Sequence, residues 1–241
     1  PIYHRGKQAQ SHLAILRSRD ILVRSRTMLI NHVRGSVKTT GVRLPSCSTR
    51  SFHKQAGEHI PEELQPALLP ILDTIASITH QIFAYDYQIE KLCEEHYPET
   101  KPMRSVSGVG YLTSLAYVLT LEDPHRFRKS REVGPCLGLV PRRDQSGEQD
   151  PQLRITKTGD SYLRRLLVHS AQYILGPFGE DCDLRRWGLK LAERGGKNAK
   201  KRAVVGLARK LAVLLHHLWV TDEAYDPLHS SRRSEAAMTA A

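Results

Sequence analysis

A regular seam of apolar residues in the N-terminal half constrains the fold of this chain more than any other feature. The seam residues step by alternating four and three positions, which is the a/d pattern of a coiled coil over about three heptads. They are Ile71, Ile75, Ile78, Ile82, Tyr85, Ile89 and Leu92. The pattern predicts a long helix from about Pro66 to His96, with one face buried against another long helix.

A candidate partner helix lies just upstream. Residues 9–34 repeat apolar side chains near helical spacing, and Gly35 ends the run. Residues 35–61 hold Gly, Pro, Ser and Thr without periodicity, so we expect a connector without regular structure. The two helices could form an antiparallel hairpin within one chain, or they could pair across a dimer. The sequence leaves both arrangements open.

Pro98 and Pro102 end the long helix, and a different composition begins there. The expected fold is mainly α. Long coiled-coil helices or a helical linker occupy residues 1–100, a compact helical domain occupies 101–222, and a disordered tail occupies 223–241. Shorter helices are predicted at about 110–120, 126–138, 158–175, 180–193 and 198–220, with a loop or short hairpin over 139–155.

The positive charge of the chain is concentrated in one segment. The net charge is +11, and residues 101–210 alone hold 22 Lys+Arg against 11 Asp+Glu. A basic excess of this size points to a polyanion, with nucleic acid as the first candidate. The four cysteines are far apart and form no C-x-x-C pair, which indicates a reduced, cytoplasmic protein without a zinc site. The most apolar stretch, residues 211–220, is too short to span a membrane, so no membrane partner is expected.

A glycine-containing turn opens the basic segment. Ser105 to Gly110 is followed by an apolar run, which is the arrangement of a helix-hairpin-helix element. Gly108 and Gly110 would let the backbone turn tightly and approach a phosphate, with the amides of the next helix directed at the anion. The same residues would also suit an ordinary turn between helices. Two basic clusters in the same segment favour phosphate contact; they contain Arg126, Arg128 and Lys129 in the first and Lys200 and Lys201 in the second.

A serine beside glycine lies further along, in a polar loop. Ser146 precedes Gly147 and follows Arg142 and Arg143. A serine that attacks a phosphodiester needs exposure, small neighbours and nearby cations to stabilise the phosphate, and Ser146 could meet all three conditions. The alternative is a loop serine without a chemical role. Further candidate phosphate ligands follow downstream: Arg154, Lys157 and Arg164.

These blocks, taken in order, resemble the C-terminal domain of the IS110/IS1111 insertion-sequence transposases. Those enzymes are the DEDD transposases, described as bridge-RNA-guided recombinases. The resemblance is closest over residues 103–175 and weaker over 198–220, and the upstream helices resemble the family's central coiled coil. The matching residues are Ser107–Gly110, Phe127, Gly138–Arg143, Ser146–Gly147, Ile155–Asp160 and Leu163–Arg164.

The resemblance implies a transposase or site-specific DNA recombinase in the bacterial cytoplasm. It identifies Ser146 as the residue that becomes linked to DNA, and it implies a structured guide RNA and a homodimer or higher oligomer as partners. In that family a RuvC-like domain supplies metal-binding carboxylates. That domain would precede Pro1, so Mg²⁺ is expected there, whereas no metal or cofactor is expected in this chain. The chain alone should then bind DNA without cutting it. The competing hypothesis is a non-catalytic helix-hairpin-helix module that binds nucleic acid.

Overall fold

The computed structural model describes residues 6–147, 153–229 and 231–232, and this part of the chain is mainly α, as predicted. It divides into two compact units, Gly6–Leu92 and the residues from Cys93 onward. The sequence had indicated a boundary near residue 100. The α-helices are α1 Lys7–Thr39, α2 Phe52–Gln55, α3 Gln65–His96, α4 Thr100–Arg104, α5 Tyr111–Leu121, α6 Val133–Cys136, α7 Ser161–Leu175, α8 Asp183–Glu193 and α9 Ala199–Thr221.

The N-terminal unit is an antiparallel hairpin of α1 and α3. Arg19 near the start of α1 pairs with Asp86 late in α3, with 2.5 Å between Nε and Oδ1. Further along α1, Arg26 donates to the Thr79 hydroxyl, and the end of α1 shares an apolar cluster with the start of α3. The long seam of α3 is therefore buried at least partly within its own chain.

The buried stripe of α3 differs by one position from the predicted seam. Ile75, Ile82 and Ile89 are buried as predicted, whereas Ile71, Ile78 and Tyr85 lie half-buried at the edge. Thr79 takes an interior place instead. Its hydroxyl donates to the Ile75 carbonyl at 2.7 Å and accepts from Arg26, so the helix and its neighbour satisfy a polar group that sequence periodicity assigns to the surface.

The connector between α1 and α3 is packed, contrary to the sequence prediction. It begins only after Thr39 and contains α2 together with 3₁₀ turns at Gly57–His59 and Glu62–Leu64. Four of its side chains are buried in the apolar cluster that closes the hairpin: Leu44, Phe52, Ala56 and Ile60. The apolar residues are too irregularly spaced to show a period, yet they cover the end of the hairpin.

Helix α9 is the centre of the C-terminal unit, with α5, α7 and α8 around it. Its buried face includes Leu207, Leu211 and Leu215. The hydroxyl of Tyr117 on α5 donates to the Ala212 carbonyl of α9 at 2.6 Å, and complete burial raises the pKa of this phenol well above its ordinary value. The link therefore operates as a neutral hydrogen bond at physiological pH.

Replacing Tyr117 with phenylalanine should lower the free energy of unfolding of this unit by about 1 kcal/mol, because one buried hydrogen bond is lost without a change in shape. Urea unfolding monitored by tryptophan fluorescence measures this change in free energy, since Trp187 and Trp219 both lie in this unit. Tyr173→Phe is the control, because Tyr173 is 48% exposed. An equal decrease in the free energy of unfolding in both variants would show that the Tyr117–Ala212 hydrogen bond does not stabilise the unit.

The segment predicted as a helix over residues 126–138 is mostly not α-helical. It contains 3₁₀ turns at Pro124–Arg126 and Ser130–Glu132, and only Val133–Cys136 forms an α-turn. Side chains bond to the backbone here in place of the helical ladder: Asp123 accepts from the His125 amide, and Glu132 accepts from the Arg128 amide.

The described start of the predicted disordered tail also packs against the domain. The Asp183 amide donates to the Pro227 carbonyl at 2.8 Å, and the Ser231 amide donates to the Asp183 carboxylate. Burial raises the pKa of the Tyr225 phenol. Residues 223–229 are therefore part of the folded unit, while residue 230 and residues 233–241 lie outside the described residues.

Two helical stretches, Glu62–His96 and Ala199–Thr221, are long and apolar enough to cross a bilayer by length and composition. Core helices of soluble proteins pass the same test, and Ala199–Thr221 has nine residues buried inside its own unit. The absence of a membrane partner stays a prediction.

Candidate nucleic-acid interface

The segment around Ser146 is a short antiparallel hairpin that projects from the base of α7. Pro141 pairs with Ile155 across it. The Arg142 amide donates to the Arg154 carbonyl at 2.8 Å, and the Thr156 amide donates to the Val140 carbonyl at 2.9 Å. The Lys157 amide closes the base on the Gly138 carbonyl at 3.2 Å. This arrangement was one of the two possibilities that the sequence left open for residues 139–155.

Two glycines allow the hairpin base to close. Gly138 and Gly159 both have left-handed backbone conformations, with φ of 64° and 72°. A Cβ on Gly138 would lie 2.4 Å from the Thr158 backbone, and a Cβ on Gly159 would lie 2.1 Å from the Cys136 carbonyl oxygen. No other residue type fits either position without moving the backbone.

Arg164 supports the same base from α7. Its guanidinium donates to the Leu137 carbonyl at 2.9 Å and to the Thr158 carbonyl at 2.7 Å, one on each side of the hairpin. Asp160 caps α7 by accepting from the Leu163 amide at 2.9 Å. The structure thus places Arg164, a sequence-predicted phosphate ligand, where it holds the hairpin to the helix.

Ser146 is exposed near the tip of the hairpin, and the two sides of the hairpin carry different arginines. Because side chains alternate along an extended strand, the directly opposed Arg142 and Arg154 share one face, whereas Arg143 takes the other. The side chains of all three arginines and of Lys157 are exposed. Residues 148–152, at the far end of the loop, lie outside the described residues.

The glycine turn lies at the other end of α7. Gly108 has φ of 84° and sits against α7, where an added Cβ would meet Tyr173 at 3.0 Å and the Ser170 carbonyl at 3.2 Å. Gly110 begins α5 in an extended conformation and offers no side chain to its first-turn amides. Ser170 is nine residues beyond Ser161, so the turn and the hairpin base are about 14 Å apart along α7.

A cavity of about 660 Å³ opens beside the glycine turn. Sequence reasoning missed its aromatic and basic walls. The guanidinium of Arg104 lies 4.2 Å from the centre of the Tyr111 ring and pairs with Glu94 at 2.9 Å. His169 and Tyr173 face the same space from α7. The helical spacing of His169 and Tyr173, four residues apart, was the one available signal, and it is too common to identify a site.

The two basic clusters are positioned at opposite ends of α9. Lys200 and Lys201 are exposed in its first turn. Arg126, Arg128 and Lys129 are exposed near its other end. His216 anchors that second cluster, because its ring bonds to the Ser130 hydroxyl at 3.0 Å and to the Pro124 carbonyl at 2.9 Å. Fifteen residues separate Lys201 from His216, which corresponds to about 22 Å along the helix.

The acidic residues before α8 are committed to local contacts. Hydrogen bonding from Arg186 lowers the pKa of Asp181, and Asp183 accepts from the Ser231 hydroxyl. Within residues 6–147, 153–229 and 231–232, no group of three or more His, Cys, Asp or Glu side chains could hold a metal ion.

The glycine turn and the serine hairpin both lie in the helical C-terminal part of the chain, where the basic residues are concentrated. Residues 101–178, which contain the turn and the hairpin, match the model of the "Transposase IS116/IS110/IS902 family". Residues 101–178 therefore carry the transposase domain of this family.

Relatives match over most of the chain. A "Transposase for insertion sequence element IS1111A" from Coxiella burnetii is 33% identical over 225 residues, covering 90% of this chain and 61% of the relative. A "Probable family 20 transposase" from Pseudomonas aeruginosa is 29% identical, covering 94% and 68%. A "Transposase for insertion sequence element IS1328" from Yersinia enterocolitica is 29% identical, covering 70% and 51%. The chain thus spans between about half and two thirds of the length of these relatives.

Proposed function

We propose that this chain binds DNA through residues 101–222 and supplies Ser146 as the nucleophile for strand cleavage and joining in DNA transposition. The observation that carries the proposal is the hairpin itself. Glycines at Gly138 and Gly159 and the guanidinium of Arg164 fix its base, so that an exposed serine is presented with opposed arginines on one face. A serine in an unstructured loop would need none of these supports.

The chemistry is a transesterification at phosphorus. The Ser146 hydroxyl oxygen forms a bond to phosphorus, the bond from phosphorus to one sugar oxygen breaks, and that oxygen takes up a proton. Ser146 is four residues from Arg142, and in the proposed arrangement it lies on the Arg142–Arg154 face. Two guanidinium groups on that face would stabilise the charge that develops on the phosphate. We therefore propose Arg142 and Arg154 as the two guanidinium groups that contact this phosphate, with Arg143 on the other face.

Activation of the serine would come from outside the hairpin. An unactivated serine hydroxyl is a poor nucleophile at neutral pH, and residues 138–159 contain no histidine to accept its proton. We therefore expect the chain alone to bind DNA without cutting it, and to cut when joined to a metal-binding domain of the RuvC-like kind. When bound there, Mg²⁺ would supply Lewis-acid polarisation of the phosphate.

Binding would use the remaining cations and the glycine turn. The clusters at the two ends of α9, about 22 Å apart, can contact separate stretches of backbone, which suits a DNA duplex together with a structured guide RNA. Exposed apolar residues on α3, including Phe83 and Tyr87, suit assembly into a homodimer or larger oligomer. The proposed setting is the bacterial cytoplasm.

A second candidate is a non-catalytic helix-hairpin-helix module, which the Gly108–Gly110 turn and its adjoining cavity favour. It predicts the same binding but no covalent intermediate. Replacing Ser146 separates the two, because a pure binding module would be indifferent to the loss of one hydroxyl.

The binding prediction is tested by a salt series on the isolated chain. The logarithm of the association constant for duplex DNA should fall with the logarithm of salt concentration with a slope of about −4 or steeper, since each neutralised phosphate contributes about −0.9. Changing Arg142 and Arg154 together to alanine should reduce the slope by about two. Arg143→Ala, on the other face, should reduce it less than Arg142→Ala. A flat salt dependence would contradict phosphate binding altogether.

A further inference from the structure

The hairpin of α1 and α3 contains a buried cation whose charge the N-terminal unit does not balance. Arg26 is only 7% exposed, and its guanidinium donates a 3.4 Å hydrogen bond to the uncharged Thr79 hydroxyl. Its Nε is buried and has no hydrogen-bond partner within the described part of the chain. A buried guanidinium ordinarily lies against a carboxylate or another anion, because desolvation without a partner is costly.

Arg50 adds positive charge near Arg26, and two histidine rings lie beside them. Arg50 lies over the ring of Phe83, 5.3 Å from its centre, and Phe83 is one helical turn beyond Thr79 on α3. His53 meets His80 edge to face at 6.5 Å between ring centres, and His80 directly follows Thr79. The buried Nδ1 of His53 also has no partner among the described residues. Arginine and histidine side chains from three segments thus converge on one turn of α3.

The available counter-charge is already engaged. Burial lowers the pKa of Arg26, the charges of Arg50 and Arg19 lower it further, and only Asp86 raises it. Asp86 is paired with Arg19 at 2.5 Å. The cluster therefore has a deficit of negative charge that an external anion would correct.

We propose that Arg26, Arg50, His53 and His80 form an anion-binding site for a backbone phosphate of nucleic acid. Arg26 is its floor, and the exposed Arg50 and His80 form its rim. A nucleic-acid phosphate is favoured over a protein carboxylate because the chain as a whole is basic, with a net charge of +11. The choice of nucleic acid rests on the proposed function, whereas the anion site itself does not.

Hydrogen exchange with pyrophosphate as the probe tests the site on the full 241-residue chain. At a pyrophosphate concentration about ten times its Kd, peptides covering residues 19–30 and 75–86 should exchange about tenfold more slowly than in sodium chloride of equal ionic strength. Arg26→Met should abolish this protection, and the matched variant Arg43→Met, at an exposed position of the same unit, should keep it. If Arg26→Met fails to fold, Arg50→Met, at an exposed position, should weaken the protection instead. Equal exchange in pyrophosphate and chloride would overturn the proposal.

Nucleic acid and poly-glutamate, used as further probes, identify the class of macromolecule that supplies the anion. A structured RNA or a DNA duplex should protect the same peptides, and Arg26→Met should reduce the salt slope of its binding by about one. Protection by poly-glutamate without protection by either nucleic acid would replace nucleic acid with an acidic protein and overturn the assignment. Arg142→Ala should leave the pyrophosphate effect unchanged, so failure of this site and failure of the Ser146 hairpin are distinguishable.

Discussion

Replacing Ser146 with alanine should eliminate the covalent protein–DNA adduct while leaving DNA affinity within about twofold, because the hydroxyl forms a bond to phosphorus but holds little of the binding energy. The assay joins this chain to a RuvC-like domain, adds magnesium and a nicked duplex that traps the intermediate, and separates the adduct on a denaturing gel. The expected loss is at least a thousandfold, which is typical for removal of a nucleophile.

Ser161→Ala is the matched control for this prediction. Ser161 is also exposed and lies just beyond the hairpin, but it begins α7 and is not presented by the paired strands. It should form adduct at the wild-type rate. An adduct that persists in Ser146→Ala and disappears in Ser161→Ala would transfer the nucleophilic role to the start of α7.

Replacing Gly159 with alanine should disrupt the hairpin without unfolding the domain. The new Cβ would lie 2.1 Å from the Cys136 carbonyl oxygen, and the left-handed conformation alone costs an alanine about 1 kcal/mol. The backbone must shift, so the hairpin bonds at Arg142 and Thr156 should open more often. We expect their amide exchange to accelerate by more than tenfold and adduct formation to fall with it.

Gly147→Ala distinguishes the cost of a left-handed alanine from the cost of a steric clash at its Cβ. Gly147 has a comparable φ of 56°, but no atom of the described residues lies within 4 Å of the added Cβ. The Gly147→Ala variant should show only the cost of the left-handed conformation. Amide hydrogen exchange in the hairpin should therefore accelerate less than in Gly159→Ala. Equal effects in the two variants would mean that the close approach at Cys136 does not hold the base.

Periodic and compositional features of the chain could be predicted from sequence, because they depend on neighbours along the chain. The long helices, the break at Pro98 and the basic segment all follow from local spacing or local charge. The interior position of Thr79 could not be predicted, since it depends on Arg26, which is 53 residues away. A polar residue is assigned to the surface until its partner is known.

The candidate site shows the same limit. The sequence predicted a loop or a short hairpin over residues 139–155, but the close approach of Gly138 to Thr158 joins positions 20 residues apart. Arg164 was predicted as a phosphate ligand because a sequence shows the charge of an arginine and not its target. In the fold that charge is directed at two backbone carbonyls. The opposed positions of Arg142 and Arg154 across the hairpin likewise depend on the strand register, which the sequence does not show.

The most direct test of the central claim is to locate the DNA-linked residue by mass spectrometry of peptides from the trapped adduct. We expect a nucleotide remnant on Ser146, within the tryptic peptide that follows Arg143 and ends at Arg154. A remnant on Ser161 or on the buried Tyr162 would contradict the assignment of the nucleophile. Efficient strand cleavage with no protein-linked DNA at any residue would contradict covalent catalysis by this domain.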